Sequence, residues 1–589
     1  MDTADSIITE RFLPAVAQPA RFTGLEHNRR CGDLAAAEVT VALGFPDDYG
    51  VGVSHLGTQI LYTLLNETPG VAADRFYCPD PASEAIMRQR GVRLFGWESR
   101  AELRRFDLVG ISLSYEMTAT NVLTMLDLAG VPLRADQRGV GDPIVIGGGT
   151  QADAPEPLAD FFDIFLIGDG EANLPAFVEL FRTMRRGGAS RDDILLAAAQ
   201  TIPSAYVPAL WQCDYGPDGR LAALRPRRDD IPPRIARAAF PLADSPDITH
   251  PLVSVTAGVF DRISIEIMRG CPNACRFCHA GFTRNPVRRR SVETIVRTAL
   301  AAVANTGFRE ISLLSLSTGD YPELRELLAR LDAELTPRGV SISVPSLRID
   351  KQLSELPERL NSVRKGGMTI AAEVGSDRLR QAINKPISNA DLLAAVEAAY
   401  RAGWRSVKVY FMAGFPGESD ADLDGIVELC REMSAVRRRV DRHPGAVSAS
   451  VSWLVPKPHT PLQWAPQAPM DYFWHVRERL KSAAARSPVN FKFHTIERSV
   501  LEAAVARGDR RMGQVIEAAW RSGARYDAWR EHFNYGLWEA AFRNCAVDPA
   551  WFTGGREVSD LLTWDHVAAC GPRSALERQW AAYQEVMKI

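Results

Sequence analysis

The sequence predicts an α/β protein in three parts: a doubly wound, Rossmann-like sheet near the N-terminus, a parallel β/α barrel or part-barrel (a partial TIM barrel) in the centre, and an α-rich C-terminal domain. Two series of short apolar runs alternating with helix-like stretches, one over residues 39–170 and one from residue 262 onward, carry the first two assignments. The third rests on the abundance of Trp, Arg and Glu and the scarcity of β-rich runs beyond about residue 470.

The first series reads VTVALGF, HLGTQILYTLL, LVGISLS, TNVLTMLDLAG, PIVIGGG and IFLIGDG. Its apolar runs are flush and rich in Val, Ile and Leu, as parallel strands buried on both faces require. Several exit through glycines, and ligands of such sheets bind beyond the carboxyl ends of the strands. Gly147-Gly148-Gly149 and Gly168-Asp169-Gly170 are therefore candidate ligand contacts, with plain tight turns as the alternative. Residues 1–35 form an arm ahead of this domain (36–181). Residues 182–261, dense in proline and charge, read as a connecting segment. The second series supplies six strands, RISIEIMRG, EISLLSLST, VSISVPSLRI, MTIAAEVGS, SVKVYFMAG and AVSASVSWLVP, separated by stretches of helical length over 262–470. Residues 471–589 complete the chain.

With 589 residues and roughly 100–200 residues per domain, three or four domains are expected. Hydrophobic residues at 46% and charged residues at 24% match a soluble globular composition and exclude a disordered, fibrous or disulfide-scaffold chain. The 69 basic and 72 acidic side chains leave a net charge of -3, so no global positive field attracts nucleic acid. A small-molecule substrate is the expected partner. The N-terminal stretch lacks the basic start and apolar core of a secretory signal, and no run approaches the ~18 apolar residues of a membrane span, so a cytoplasmic protein without membrane contact is expected.

Nine cysteines in a reducing compartment are not a disulfide framework. Six are scattered and read as packing residues. Cys271, Cys275 and Cys278 stand at C-x3-C-x2-C just past the first barrel strand, where barrel enzymes place active-site residues. Three thiolates can hold a 4Fe-4S cluster with one iron open to a substrate or cofactor. The alternatives are a zinc site completed by His279, covalent haem attachment through the literal C-x-x-C-H of Cys275 to His279, or three structural cysteines. Zinc asks His279 to reach the metal held by its own neighbour, and haem leaves Cys271 unexplained.

Cys271, Cys275, Phe277 and Cys278 together fill C-x3-C-x-aromatic-C and resemble the signature of the radical S-adenosylmethionine (radical SAM) enzymes. The resemblance implies that the open iron is chelated by S-adenosylmethionine, which one electron cleaves to methionine and a 5'-deoxyadenosyl radical. Where that family has Gly-Gly-Glu after the second strand, this chain has Ser317-Thr318-Gly319-Asp320, so Asp320 either accepts from the methionine ammonium or caps a helix. Glu373 resembles the acidic residue directed at the ribose. Arg348 serves a carboxylate or the ribose, or else pairs with Glu373. Gly414, in YFMAGFPGE, resembles part of the adenine-contacting segment, with a turn as the alternative. Arg288, Arg289 and Arg290 are expected to make local ion pairs.

In the first domain, Asp47-x-Tyr49-x-x-Gly52 resembles the cobalamin-binding D-x-H-x-x-G with tyrosine in place of the lower-ligand histidine, which implies cobalamin bound without its lower imidazole ligand. His55 is either an alternative axial ligand or a structural histidine. Ser112-Leu113-Ser114, Gly147-Gly148-Gly149 and Gly168 resemble the further elements that admit the nucleotide tail. A cobalamin domain followed by a radical barrel is the order found in cobalamin-dependent radical SAM enzymes, and the likeness is nearest to a functionally uncharacterised subgroup.

The resemblance implies a 4Fe-4S cluster, S-adenosylmethionine and cobalamin as cofactors, an electron donor such as flavodoxin or ferredoxin, and methyl transfer to an unactivated carbon of a small molecule. Radical ring closure, contraction or oxidation without methyl transfer is the alternative, and a non-catalytic cobalamin-binding module is the reading from another class. Resemblance to tRNA methylthiotransferases meets an obstacle, since those carry three N-terminal cysteines and only Cys31 and Cys78 lie there. No side chain is assigned as a catalytic acid or base. The C-terminal His494, Glu502, Arg507, Asp509 and Arg510 either close the barrel over substrate or form a structural ion-pair network.

Overall fold

A computed structural model describes residues 4–217, 219–256, 258–344, 368–485, 487–568 and 570–589. The apolar runs of the first series become strands β1 (Val39–Phe45), β2 (Val71–Tyr77), β3 (Leu108–Ser112), β4 (Ile144–Gly148) and β5 (Ile164–Leu166), all parallel. The strand order is 2-1-3-4-5, with a sixth strand, β6 (Ala205–Tyr206), antiparallel on the β5 edge. Helices α1 (Leu56–Asn66), α2 (Pro81–Arg90), α3 (Ala119–Ala129), α4 (Gly170–Arg186) and α5 (Arg191–Thr201) cover both faces. Residues of β1 divide between them: Val39, Val41 and Leu43 pack with Tyr62, Leu65, Phe177 and Ile194, while the intervening Ala42, and Phe45 at the strand's end, join the cluster containing Val122 and Leu126.

The segment expected as a connector, 182–261, belongs largely to this domain. It holds the end of α4, all of α5 and β6, and a hairpin of β7 (Trp211–Tyr215) and β8 (Leu221–Pro226). Bridges from Gly168 to Ala238 and from His27 to Val253 stitch the rest down. Its prolines interrupt periodicity, so pairings of one or two residues leave no trace in the pattern.

The barrel region begins with β9 (Ile263–Glu266) and a short antiparallel pair, β10 (Met268–Arg269) and β11 (Arg288–Arg289), which brackets the cysteine loop and the short helix α6 (His279–Thr283). It continues through α7 (Val292–Thr306), β12 (Glu310–Leu314), α8 (Leu324–Leu335) and β13 (Ser341–Ser343), then β14 (Met368–Glu373), α9 (Asp377–Ala382), α10 (Asn389–Arg401), β15 (Ser406–Ala413), α11 (Asp420–Asp441) and β16 (Ala446–Trp453). Beyond α12 (Met470–Ala484), β17 (Val489–Phe493) pairs in parallel with β16. The sheet thus extends past the boundary expected at 470, because β17 is an edge strand of five residues, VNFKF, with exposed Asn490 and Lys492. Seven parallel strands follow one another in chain order as two ladders, 9-12-13 and 14-15-16-17.

The C-terminal region is α-rich as expected, with helices α13 (Ile496–Ala506), α14 (Met512–Arg521) and α15 (Tyr535–Asn544), and it packs directly on the N-terminal domain. Their residues Leu501, Val515, Ile516, Trp520 and Trp538 share one core with Val122, Leu123 and Leu126 of α3. The last helix, α16 (Arg573–Met587), instead packs on the barrel, placing Leu576, Trp580 and Tyr583 with Val374, Leu379 and Phe415. Trp520 is 7% exposed and donates from Nε1 to Thr124 Oγ at 3.0 Å, so Trp520→Ala empties an indole-sized space and strips a buried hydroxyl of its donor. It should cost about 3–5 kcal/mol and bring forward the thermal unfolding transition; an unchanged transition would show that these helices do not complete the N-terminal core.

Candidate active site

The cysteine loop leaves β10 through Gly270, whose φ of +88° and closeness to Arg284 O, 2.9 Å from an added Cβ, demand glycine. Cys271, Cys275 and Cys278 are all half-buried and none is in a disulfide. The loop is held from behind by the barrel. Arg276 N–H donates to Ile383 O at 3.0 Å, Asn384 Nδ2 reaches Asn273 O and Ala274 O at 3.3 and 3.0 Å, and Arg276 Nε reaches Gln579 Oε1 at 2.9 Å. Burial, with the neighbouring Cys271, pushes the Cys278 thiol up against the lowering effect of the Gly281 N–H. A bound cation reverses that bias, because iron stabilises thiolate. Among the described residues no three His, Cys, Asp or Glu side chains form a cage for one metal ion. A 4Fe-4S cluster needs no such cage, since each thiolate binds its own iron. Three thiols on one braced loop fit that donor set.

Asn273 links this loop to the second barrel strand's exit. Its Nδ2 lies 3.4 Å from Cys271 Sγ and 2.6 Å from Asp320 Oδ2, which also accepts from Ser317 Oγ at 2.6 Å. Thr318 and Gly319 are buried within the same turn, and the Thr318 hydroxyl meets Ser315 Oγ at 2.8 Å. Asp320 therefore faces the cluster loop and caps no long helix. Glu373 ends β14 at a register shift with φ +66°, and Lys385 Nζ donates to its Oε1 at 2.7 Å. Arg348 lies outside the described residues. Phe277 stands edge-on to Phe415 at 6.3 Å. Gly414, at φ +99°, donates to Glu418 Oε2 at 2.7 Å, and a Cβ there would lie 2.5 Å from the Phe473 ring. Burial raises Glu418 to about 7 against the opposing Gly414 N–H and Tyr472 hydroxyl.

A cavity of about 520 Å³ separates the two sheets at their carboxyl ends. From the N-terminal sheet it takes His55, Gly57, Gly110, Ser112, Ser114, Gly148, Gly149, Gly168 and Gly170; from the barrel it takes Glu266, Arg269, Gly270, Ala280, Arg284 and Ser315. His55, Ser112, Ser114, Gly148, Gly149, Gly168 and Gly170, with Asp169 beside them, were marked by the sequence. Asp47, Tyr49, Gly52, Leu113 and Gly147 were marked too, but the structure places them away from the lining. Tyr49 is buried in the core, its hydroxyl donating to Glu26 at 2.8 Å and its ring edge-on to Tyr77 at 5.3 Å. Asp47 accepts from Trp529 Nε1 at 2.7 Å. Gly52 and Gly147 leave room for the Tyr77 and Phe165 rings, and Leu113 is buried in the core. The D-x-Y-x-x-G spacing thus folds a turn whose side chains pack inward.

The walls also contain residues that sequence reasoning passed over. Arg269 makes ion pairs with Glu171 at 2.7 Å, Glu266 at 2.8 Å and Asp169 at 3.3 Å, and Arg288 pairs with Asp169 as well. Arg284 donates to Thr150 Oγ at 3.0 Å. The available signal was position: Arg269 is the charged residue at the end of an apolar strand, one step before Gly270-Cys271. The three-arginine run does pair locally, Arg290 with Asp247 at 2.7 Å and Arg289 with Glu323 at 3.5 Å. Of the C-terminal residues, Glu502 joins Glu116 around Lys457 at 2.9 and 2.6 Å, Arg510 holds Glu156 at 3.1 Å, and the His494 backbone accepts from Trp453 Nε1.

Residues 57–208 match the family described as "Radical SAM proteins, N-terminal", and residues 265–430, which include the whole cysteine loop, match the "Radical SAM superfamily". The chain belongs to the radical SAM superfamily. As a radical SAM enzyme it uses a 4Fe-4S cluster and S-adenosylmethionine. It is 25% identical over 483 residues to "Uncharacterized protein MJ0966" of Methanocaldococcus jannaschii, covering 81% of this chain and 90% of that one. It is 30% identical over 215 residues to ribosomal protein uS12 methylthiotransferase RimO of Desulfotalea psychrophila, spanning 35% of this chain and under half, 46%, of that relative. Among solved structures it is similar to the radical S-adenosylmethionine methyltransferase TsrM from Kitasatospora setae, with a TM-score of 0.48 and 14% identity over 86% of this chain and 99% of that one. No helix among the described residues is long and apolar enough to cross a membrane.

Two buried histidines of this radical SAM enzyme set a pH limit. Burial lowers His459 and His566 from 6.5 to about 4. Because the unfolded chain takes up their protons first, stability is intact above pH ~6.5 and falls as pH drops towards 4, by about 1.4 kcal/mol per unit of pKa difference for each group. The thermal midpoint should therefore fall between pH 7.5 and 5.5, and His566→Gln should fall less. An equal fall in both would remove His566 from the account.

Proposed function

We propose that this radical SAM enzyme is cobalamin-dependent and transfers a methyl group to an unactivated carbon of a small molecule. The observation that carries the reading is the single cavity bounded on one side by the glycine and serine exits of the N-terminal sheet and on the other by the two ends of the cysteine loop, Gly270 and Ala280. The eight glycines and serines on the sheet side fit a corrinoid, because side chains without bulk leave the crevice open to a large planar ring and its tail. The cluster with S-adenosylmethionine would supply a substrate radical, and cobalamin a transferable methyl group.

The chain's own residues have supporting parts in this reading. Asp320, already an acceptor from Asn273 and Ser317, is suited to hold an ammonium beside the cluster loop. Glu373 and Gly414 suit the ribose and adenine of S-adenosylmethionine. The apolar Leu43, Ile146, Leu166, Leu174 and Leu316 line the cavity and exclude water from a radical. His55 suits a structural role: its Nδ1 accepts from Thr58 N at 3.2 Å, capping α1, and its ring packs on Phe45 at 4.7 Å. His55 would then not be among the residues that hold cobalamin. A reductant such as flavodoxin or ferredoxin would deliver the electron.

Anaerobic reconstitution with hydroxocobalamin and methyl-labelled S-adenosylmethionine tests the proposal. Expected are about four irons and four sulfides per chain, lost in Cys275→Ala, together with retained cobalamin and label passed to a small-molecule product of a cell extract. Formation of 5'-deoxyadenosine without retained cobalamin would refute cobalamin dependence, and retained cobalamin with unlabelled product would refute methyl transfer. His55→Asn, which keeps a capping side chain, should bind cobalamin unchanged. A nitrogen splitting in the cob(II)alamin EPR spectrum that disappears in this variant would instead make His55 the axial ligand.

A further inference from the structure

The run Arg507-Gly508-Asp509-Arg510-Arg511 follows α13 and builds a second cavity, of about 460 Å³, that shares no lining residue with the first. That volume lies in the range of small-molecule sites, about 300–1,000 Å³. Its walls are the β7–β8 turn at Gly219–Leu221, the arginine run, and the segments around Trp551 and Trp564.

Four arginines and two aspartates line it. Arg511 pairs with Asp509 at 2.6 Å and lies over the rings of Tyr215 and Trp551, with centroids 4.1 and 4.6 Å away. Arg220 pairs with Asp560 at 3.2 Å. Both carboxylates are thereby taken up. Arg507, only 3% exposed, donates to neutral carbonyls, Ala465 O at 2.8 Å and Gly554 O at 2.9 Å. Arg556, half-buried, donates to Trp551 O. Neither Arg507 nor Arg556 has a carboxylate ion-pair partner among the described residues. Burial, and then the charge of Arg556, lowers Arg507 to about 9, and burial followed by Arg220 lowers Arg556 as well. Asp560 and Asp509 act on Arg556 only from a distance and are each paired with another arginine, so the four arginines of this wall outnumber its two carboxylates, an imbalance that a bound anion relieves. Guanidinium forks match carboxylate and phosphate oxygens in geometry.

We propose that this cavity binds a small organic anion, its carboxylate or phosphate group set against Arg507 and Arg556, at a site separate from the radical chemistry. Arg507 also staples two loops, so the test rests on the cavity's other wall. Thermal shift and calorimetry on the full-length protein, with phosphate, malonate and chloride compared at matched ionic strength, should give saturable stabilisation by phosphate, malonate or both and none by chloride. The stronger of the two oxyanions identifies the ligand's acidic group. Arg556→Gln should weaken that binding at least tenfold, with partial recovery in Arg556→Lys. Gly555→Glu, where an added Cβ meets Pro466 only at an ordinary 3.5 Å, should place a carboxylate at the mouth, raise the thermal midpoint and abolish the phosphate and malonate effects. Oxyanions acting no more strongly than chloride, or acting undiminished in Arg556→Gln and Gly555→Glu, would overturn the proposal whatever the fate of the cobalamin reading.

Discussion

One cation, the Arg269 guanidinium of β10, ties the N-terminal sheet to the barrel. It sits between Glu266 at the end of β9 and Asp169 and Glu171, which follow the last parallel strand of the N-terminal sheet. Burial works against the charge on Asp169, but Arg269, the Phe240 N–H and Arg288 outweigh it and hold the carboxyl below its usual range. Such a network gives little net stability, because desolvation consumes much of the Coulombic gain. Its contribution is registration. These ion pairs cross from the N-terminal sheet to the barrel beside an otherwise largely apolar cavity wall, and Arg269 adjoins the loop that bears the thiols.

The same economy explains why the chain's two ends return to its middle. A parallel sheet must be covered on both faces, and the N-terminal domain's own helices share that cover with segments from elsewhere in the chain. The arm contributes Phe12 and Phe22, and the C-terminal helices contribute Trp520 and Trp538, all to one core. The barrel is treated likewise by α16, whose Gln579 also reaches the cysteine loop through Arg276. Three sequence regions therefore fold as two sheets with shared covers.

The sequence made the strands legible because flush Val, Ile and Leu runs have no other use at those spacings, and made the cluster legible because three cysteines at C-x3-C-x2-C have few. The remainder was hidden for physical reasons. An amphipathic helix declares that it has an apolar face but not which surface that face meets, so the sequence showed an α-rich C-terminal region without showing that it packs on the N-terminal domain. Tyr49 and Asp47 keep a binding motif's spacing, yet spacing cannot tell a side chain aimed into a crevice from one turned into the core. The Arg269 network joins residues about 100 apart in the chain, and single charges at strand ends look alike until the fold pairs them.

The bracing of the cysteine loop has a consequence for how the metal centre is assembled. Arg276 donates to Ile383 O and Gln579 Oε1, and Asn384 donates to Asn273 O and Ala274 O, so protein hydrogen bonds brace the loop's path. In a zinc finger the ordering entropy of the ligands is charged against metal affinity, since folding waits for the ion. Here that entropy has been spent in forming the barrel, so the thiols meet iron as a preorganised set. The ordering of the three thiols would accordingly be met by the folding of the barrel, and cluster affinity would carry little of it.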